Sequence, residues 1–157
     1  MVTGMATEPP AFASTSHDAA LAQLRLYQLV SPALPIGGFT YSQGLEWAVE
    51  SGWVTDSETL SDWLIGLIDD GLTCLELPVL VRLYRACEST DREALRSWGL
   101  HLLASRESAE LRAEERNRAR ALVGLLDKLG VGDVAAWRDE LLHCQVAPYA
   151  LAAVRWA

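Results

Sequence analysis

The residues best equipped for metal or nucleophilic chemistry are three histidines, three cysteines and a serine two residues before a glycine. His17, His101 and His143 fall on separate predicted segments, and none has the i, i+4 partner that a helical metal site uses. Each is therefore expected to be solvated or hydrogen-bonded. His143-Cys144 is an adjacent pair of soft ligands, yet neighbours on a helix point about 100° apart and are poorly placed to hold one ion together. Cys74, Cys87 and Cys144 are widely spaced with no CxxC pair, so they are expected to be small core residues rather than a disulfide framework or a zinc knot. Ser42 lies in Tyr41-Ser42-Gln43-Gly44, which lacks the first glycine of a G-x-S-x-G elbow and the strand that should precede it. A small helical enzyme, hydrolase-like with a cleft around Ser42 or His143, is nevertheless the alternative from the catalytic class.

Two further patterns suit contacts better than catalysis. Gly37-Gly38 precedes a predicted helix and could present backbone N–H groups to an anion, but no G-x-x-x-x-G-K-[ST] pattern and no nearby lysine accompany it. The expectation there is a tight loop whose backbone packs closely on a neighbour. From Arg106 to Arg120 the chain is almost wholly charged. Spacing of i, i+4 pairs Arg106 with Glu110 and Glu114 with Arg118, but also sets Glu110 beside Glu114 and Arg112 beside Arg116. Such a helix is either a solvated face or the bed of a partner.

The elements that must position these groups read as helices. Asp18 resembles an N-cap for a segment with Leu21, Leu24 and Tyr27, which Ser31-Pro32 stops. The run Ser31 to Phe39, with two prolines and two glycines, is an irregular loop. Thr40–Ser51 is a short helix with Gly52 after it, carrying Leu45, Ala48 and Val49 between Trp47 and Trp53. Asp56 or Ser57 caps the next, whose Leu60, Trp63, Leu64, Leu67 and Ile68 give the strongest helical periodicity in the chain. Pro78 suits the first turn of a helix with Leu80, Leu83, Tyr84 and Cys87, and Asp91 caps another with Leu95, Trp98, Leu102 and Leu103. The charged segment then runs into Leu122, Val123, Leu125, Leu126 and Leu129 before Gly130. Asp133 begins a helix with Val134, Trp137, Leu141 and Leu142, and a last apolar stretch starts at Pro148. No segment alternates as a strand does, so the class is all-α, a single-domain bundle of about seven helices. Most of the six tryptophans are expected in its core.

Composition sets the outer limits. The chain has 157 residues, half of them hydrophobic, with 13 Lys+Arg against 21 Asp+Glu and a formal charge of −8. That is one domain with material for a core. The acidic balance argues against nucleic acid and anionic membranes, and no basic n-region or bilayer-length apolar run is present, which makes a cytoplasmic location the expectation. Residues 1–17, rich in Ala, Thr, Ser and Pro, are expected to be a flexible leader to a helical domain over 18–157. The apolar stretch ending at Val154-Arg155-Trp156-Ala157 has no capping signal, which suggests a fragment of a longer protein with orphan carbonyls and bare apolar surface at that end.

The loop and the charged helix together carry a resemblance. Ser31-Pro32-Ala33-Leu34-Pro35-Ile36-Gly37-Gly38-Phe39-Thr40-Tyr41-Ser42-Gln43-Gly44-Leu45-Glu46 resembles the LP-x-GG-[FY]-[ST]-[YH]-S-x-G-LE signature of the urease accessory protein UreF family. Ala104-Ser105-Arg106-Glu107-Ser108 followed by Glu110-Leu111-Arg112 and Glu114-Glu115 resembles its second landmark, and the similarity runs from about Leu21 to at least Leu129. The chain departs at Arg118-Ala119, where members carry Met-Gly or a similar pair, and members continue well past Ala157. The resemblance implies an all-helical accessory protein that is not an enzyme and holds no cofactor. It implies the partners UreD (also called UreH), the GTPase UreG and the urease apoprotein, bridged in a complex that inserts nickel, with a homodimer as a further form. The motif surface would be shaped by Gly37, Gly38, Tyr41, Ser42 and Glu46, and a second surface by Arg106, Glu110, Arg112 and Glu114. A direct nickel carrier would instead need His143 and Cys144 to bind the ion.

Overall fold

In the computed structural model, residues 12–38, 41–42 and 44–156 are described, with side chains from residue 18 onward. Residues 1–11 of the expected leader lie outside the described residues, as do Phe39, Thr40 and Gln43 of the loop. All the regular elements among the described residues are helical: α1 (Phe12–Leu29), α2 (Leu45–Glu50), α3 (Ser57–Gly66), a π-helical segment (Leu67–Glu76), α4 (Leu77–Glu88), α5 (Arg92–Ala104), α6 (Ala109–Lys128), α7 (Arg138–Leu141) and α8 (Val146–Trp156). The all-α class expected from the pattern is the class observed.

Local chemistry fixes most of the boundaries. Asp56 caps α3 with a reciprocal box: its carboxylate accepts from the backbone N–H of Glu58 at 3.0 Å and Thr59 at 2.9 Å, while the Thr59 hydroxyl accepts from the Asp56 N–H at 3.1 Å. Asp91 and Ser108 cap α5 and α6 in the same way, accepting from the N–H groups of Ala94 and Leu111. Gly52 and Gly130 follow α2 and α6 at φ +75° and +71°, the left-handed conformation that closes a helix with little steric cost.

Several expected boundaries moved. Helix α1 begins at Phe12, so Asp18 lies inside it rather than at its cap. Helix α2 starts at Leu45, after Gly44 at φ +89°. Between Asp133 and Trp137 the chain makes hydrogen-bonded turns, with Asp133 at φ +65°, and only Arg138–Leu141 is helical. The run from Ser57 to Glu88 is continuous but leaves the α ladder over ten residues before Pro78. Proline there has no N–H for the carbonyl four residues back and crowds it in a tight helix. The i→i+5 spacing of the π segment accommodates that site.

The core lies in the second half of the chain. Helix α8 is its hub: Val146, Ala147, Pro148, Ala150, Leu151, Ala152 and Trp156 are all buried, as expected of a helix apolar on every side. The bare surface expected at this end is thus inside the bundle. Helix α4 packs most extensively on α8 and α5 through Val79, Leu83, Ala86 and Cys87, while α6 and α1 lie against α8. Helices α5 and α7 approach closely at Gly99, where an added Cβ would stand 3.2 Å from the His143 Cβ. Of the tryptophans, Trp137 and Trp156 are buried, Trp63 and Trp98 are half-buried, and Trp47 and Trp53 are exposed. The expectation that most are core fails because the elements bearing Trp47, Trp53 and Trp63 acquire few neighbours.

Candidate functional site: the loop and the charged helix

The loop from Ser31 to Gly44 is ordered by its own short-range bonds and by one hydrophobic anchor. The Ser31 hydroxyl accepts from the Ala33 N–H at 3.2 Å, the Ser31 carbonyl from Leu34 at 3.1 Å, and Ile36 is buried against the core. Gly37 has φ +75°, which explains a glycine there. A Cβ at Gly38 would meet nothing within 4 Å, so close backbone packing does not account for that residue. Gly37, Gly38, Tyr41, Ser42 and Glu46 are all exposed. Ser42 sits where its carbonyl accepts the Leu45 N–H at 3.0 Å, at the entry to α2.

Tyr41 brings this loop to α6: its hydroxyl accepts from the Asn117 Nδ2 at 3.4 Å, across 76 residues of sequence. Asn117 is itself held by Arg120, whose Nη1 donates to Asn117 Oδ1 at 2.6 Å. The loop and helix α6 therefore meet on one surface. Asn117 carried no sequence signal beyond its place in the charged run.

The charged run divides into inward and outward groups. Glu115 is 4% exposed, and its carboxylate accepts from Arg106 Nε at 3.0 Å and from the Gln145 backbone N–H at 2.8 Å. Arg106 Nη2 lies 2.8 Å from Glu115 and 2.6 Å from Glu76 at the end of the π segment. Burial opposes the Arg106 charge, but hydrogen bonds and charge attraction from Glu76 and Glu115 outweigh it and raise its pKa. Two carboxylates from separate pieces of chain meet on this guanidinium, and through Glu115 the network reaches the Gln145 backbone. The expected Arg106–Glu110 pair is replaced by these contacts because Arg106 precedes α6, which starts at Ala109. Glu114 does pair with Arg118 at i, i+4, at 3.2 Å, and both are largely shielded. Arg112 is half-buried, its Nη1 donating to the Arg106 carbonyl at 2.5 Å. Glu110 is exposed at the start of α6, where a hydrogen bond with its own backbone N–H, then one with the Ser108 hydroxyl, lower its pKa. Sequence reasoning missed the bonds of Glu76 and Gln145 because their partners lie thirty residues away, and the Arg106–Glu115 pair because its nine-residue separation is no helical spacing.

The soft-ligand pair is poorly suited to a metal. Cys144 is wholly buried and its thiol is pushed up to about 12 by that burial, so it is protonated at neutral pH, whereas a metal ligand must be a thiolate. His143 has its pKa lowered first by burial and then by the cations Arg96 and Arg116. Cys87 is buried as expected, its thiol raised to about 11, but Cys74 is exposed on the π segment. His101 is exposed, edge-on to Trp98 with centroids 5.5 Å apart. Among the described residues, no three His, Cys, Asp or Glu side chains converge, and no helix is long and apolar enough to cross a membrane.

The UreF family model matches residues 54–157. The urease accessory protein UreF of Pseudomonas putida (strain KT2440) is 53% identical over 137 residues, covering 87% of this chain and 61% of that protein. Those of Alcanivorax borkumensis and Enterobacter sp. (strain 638) are 51% and 45% identical over 84% and 85% of the chain. An alignment covering 87% of 157 residues necessarily includes both the loop and the charged part of α6. The chain spans about three-fifths of the length of these relatives. Matched by the family model over residues 54–157 and about half identical to these proteins over most of its length, this chain belongs to the UreF family.

Proposed function

We propose that the chain serves urease maturation in the cytoplasm, as an accessory protein without catalytic activity of its own. In this reading it bridges UreD/UreH and the GTPase UreG in a complex that delivers nickel to the urease apoprotein. Nickel is cargo there, held by partners rather than by this chain. The observation that carries the reading is the junction of Tyr41 with Asn117 in a chain about half identical to proteins named urease accessory protein UreF. It ties the loop to α6 while leaving Tyr41, Ser42, Glu46 and Glu110 exposed.

A scaffold acts by binding one state of its partners better than another, so its contact residues need exposure and fixed geometry more than perturbed pKa values. Glu110 fits that role. Arg112 stands behind it and holds the turn before α6, while Arg106 and Glu114 work inside the protein, positioning the helix. Co-purification with UreD and UreG tests the proposal. Glu110→Arg is expected to weaken recovery of the complex at unchanged helix content; full recovery of both partners by Glu110→Arg and by Tyr41→Ala would refute it.

A further inference from the structure

Helix α3 and the π segment form an arm that the bundle leaves uncovered. Neither packs substantially on any described element other than its own continuation, and neither contains a buried residue. Leu64, Ile65, Leu67, Ile68 and Leu72 are between 39% and 53% exposed. The strongest amphipathic pattern in the sequence thus faces solvent, and contiguous apolar surface of this kind marks an interaction site.

The charge of the chain is segregated in the same place. Residues 26–81 contain eight carboxylates and no Arg, Lys or His, whereas residues 82–157 carry 12 basic and 11 acidic residues. Glu58, Asp62, Asp69, Asp70 and Glu76 lie on the arm, and of these Glu76 alone has an ion-pair partner among the described residues. Just before the arm, Trp47 of α2 and Trp53 in the turn after it stack edge-to-face at 4.5 Å, 56% and 62% exposed, with Glu46 and Glu50 on α2. Exposed tryptophans beside carboxylates suit a partner's Arg or Lys, which gains both an ion pair and a cation–π contact.

We propose that this face docks a basic amphipathic helix of a partner protein, its apolar side seated on Leu64, Ile65, Ile68 and Leu72 and its Lys or Arg residues facing Asp62, Asp69 and Asp70. Other occupants fit the chemistry less well. A two-fold pairing of this face with itself would set carboxylates against carboxylates. An anionic membrane or a nucleic acid would be repelled by it. A helix laid on an apolar strip with complementary charges at its edges is an established mode of peptide recognition. The inference does not depend on which accessory proteins the chain meets.

The test titrates the chain with a fluorescent Leu/Lys peptide of about 18 residues, patterned to be amphipathic as a helix. Two controls accompany it: a scrambled peptide of the same composition and a Leu/Glu counterpart. Anisotropy is expected to show one-to-one binding of the Leu/Lys helix, at least about tenfold tighter than the scrambled peptide, and none of the Leu/Glu peptide. Ile65→Gln/Ile68→Gln and, separately, Asp69→Lys/Asp70→Lys are each expected to weaken binding about tenfold or more with unchanged circular dichroism. Equal binding of the scrambled peptide, or indifference to both variants, would overturn the proposal. So would light scattering that shows a dimer dissolved by Ile65→Gln/Ile68→Gln, which would assign the face to a second copy. Binding by this chain but not by the longer Pseudomonas putida relative would assign it to the relative's additional residues. Loss of UreD and UreG recovery in the Glu110→Arg experiment is read separately, so either proposal can fail alone.

Discussion

Glu115→Ala removes the acceptor on which α6, the Arg106 turn and the start of α8 converge, and its cost can be worked from the geometry. The lost contacts are a charged pair with Arg106 at 2.8 Å and a charge-assisted bond from the Gln145 N–H at 2.8 Å. Deleting one partner of a buried pair costs about 3–5 kcal/mol, because the other charge stays buried without compensation. Arg106 retains Glu76 and its side chain is 18% exposed, which places the expected loss near the low end, about 3 kcal/mol. For a chain of this size that lowers Tm by about 6–12 °C. Glu76→Ala, at a more exposed carboxylate, should cost about 1–2 kcal/mol. Glu107→Ala changes net charge equally at an exposed neighbour and should stay within about 0.5 kcal/mol. Urea unfolding followed by circular dichroism gives all three values. A Glu115→Ala loss below about 1 kcal/mol, or the same loss for all three variants, would refute the view that this network holds the second half of the fold together.

Other groups give sharper local tests. His143 has a folded-state pKa below its ordinary 6.5, so the unfolded chain binds the proton more readily and stability falls as pH drops below about 6.5. His143→Gln should flatten the decline of Tm between about pH 7 and pH 5, above the range where carboxylates titrate; an unchanged slope would assign the decline to other groups. Gly99→Ala gains helix propensity, yet its Cβ meets a His143 Cβ fixed close to the backbone. A net loss is expected, rising beyond about 2 kcal/mol for Gly99→Val, and a more stable Gly99→Ala would show that α7 can retreat. With Cys87 and Cys144 buried and their thiols raised, a thiol reagent near pH 8 should titrate Cys74 quickly and the other two only on unfolding; rapid reaction of all three would contradict the packing of α4 on α8.

What the sequence made legible was the chemistry that acts within one or two turns. The Asp56 box, the Asp91 cap and the glycines after α2 and α6 are interactions between residues a few positions apart, and each sits where its pattern placed it, whereas α8 opens at Val146, two residues before the Pro148 expected to begin it. Periodicity identified the apolar face of α3 but held no information about what covers it, because cover is supplied by elements remote in sequence. The same limit hid the Arg106 network: Glu76 and Gln145 are unremarkable residues until the fold brings one to the Arg106 guanidinium and the other to its partner Glu115. Tyr41 and Asn117 show the converse. A resemblance singled out the segment of Tyr41, and folding joined it to Asn117, two residues past the second landmark, through a bond that no spacing rule would suggest.

The π segment also bears on how this chain can vary in length. Each of its hydrogen-bonded loops encloses one residue more than an α turn. Deleting a single residue between Leu67 and Glu76 can therefore be absorbed by tightening one loop to the α register, leaving α4 in place. The same deletion within α4 or α8 would rotate every later side chain of the helix by about 100°, turning Leu83 or Leu151 out of the core. Insertions and deletions between homologues should accordingly be found in the arm and be absent from the hub.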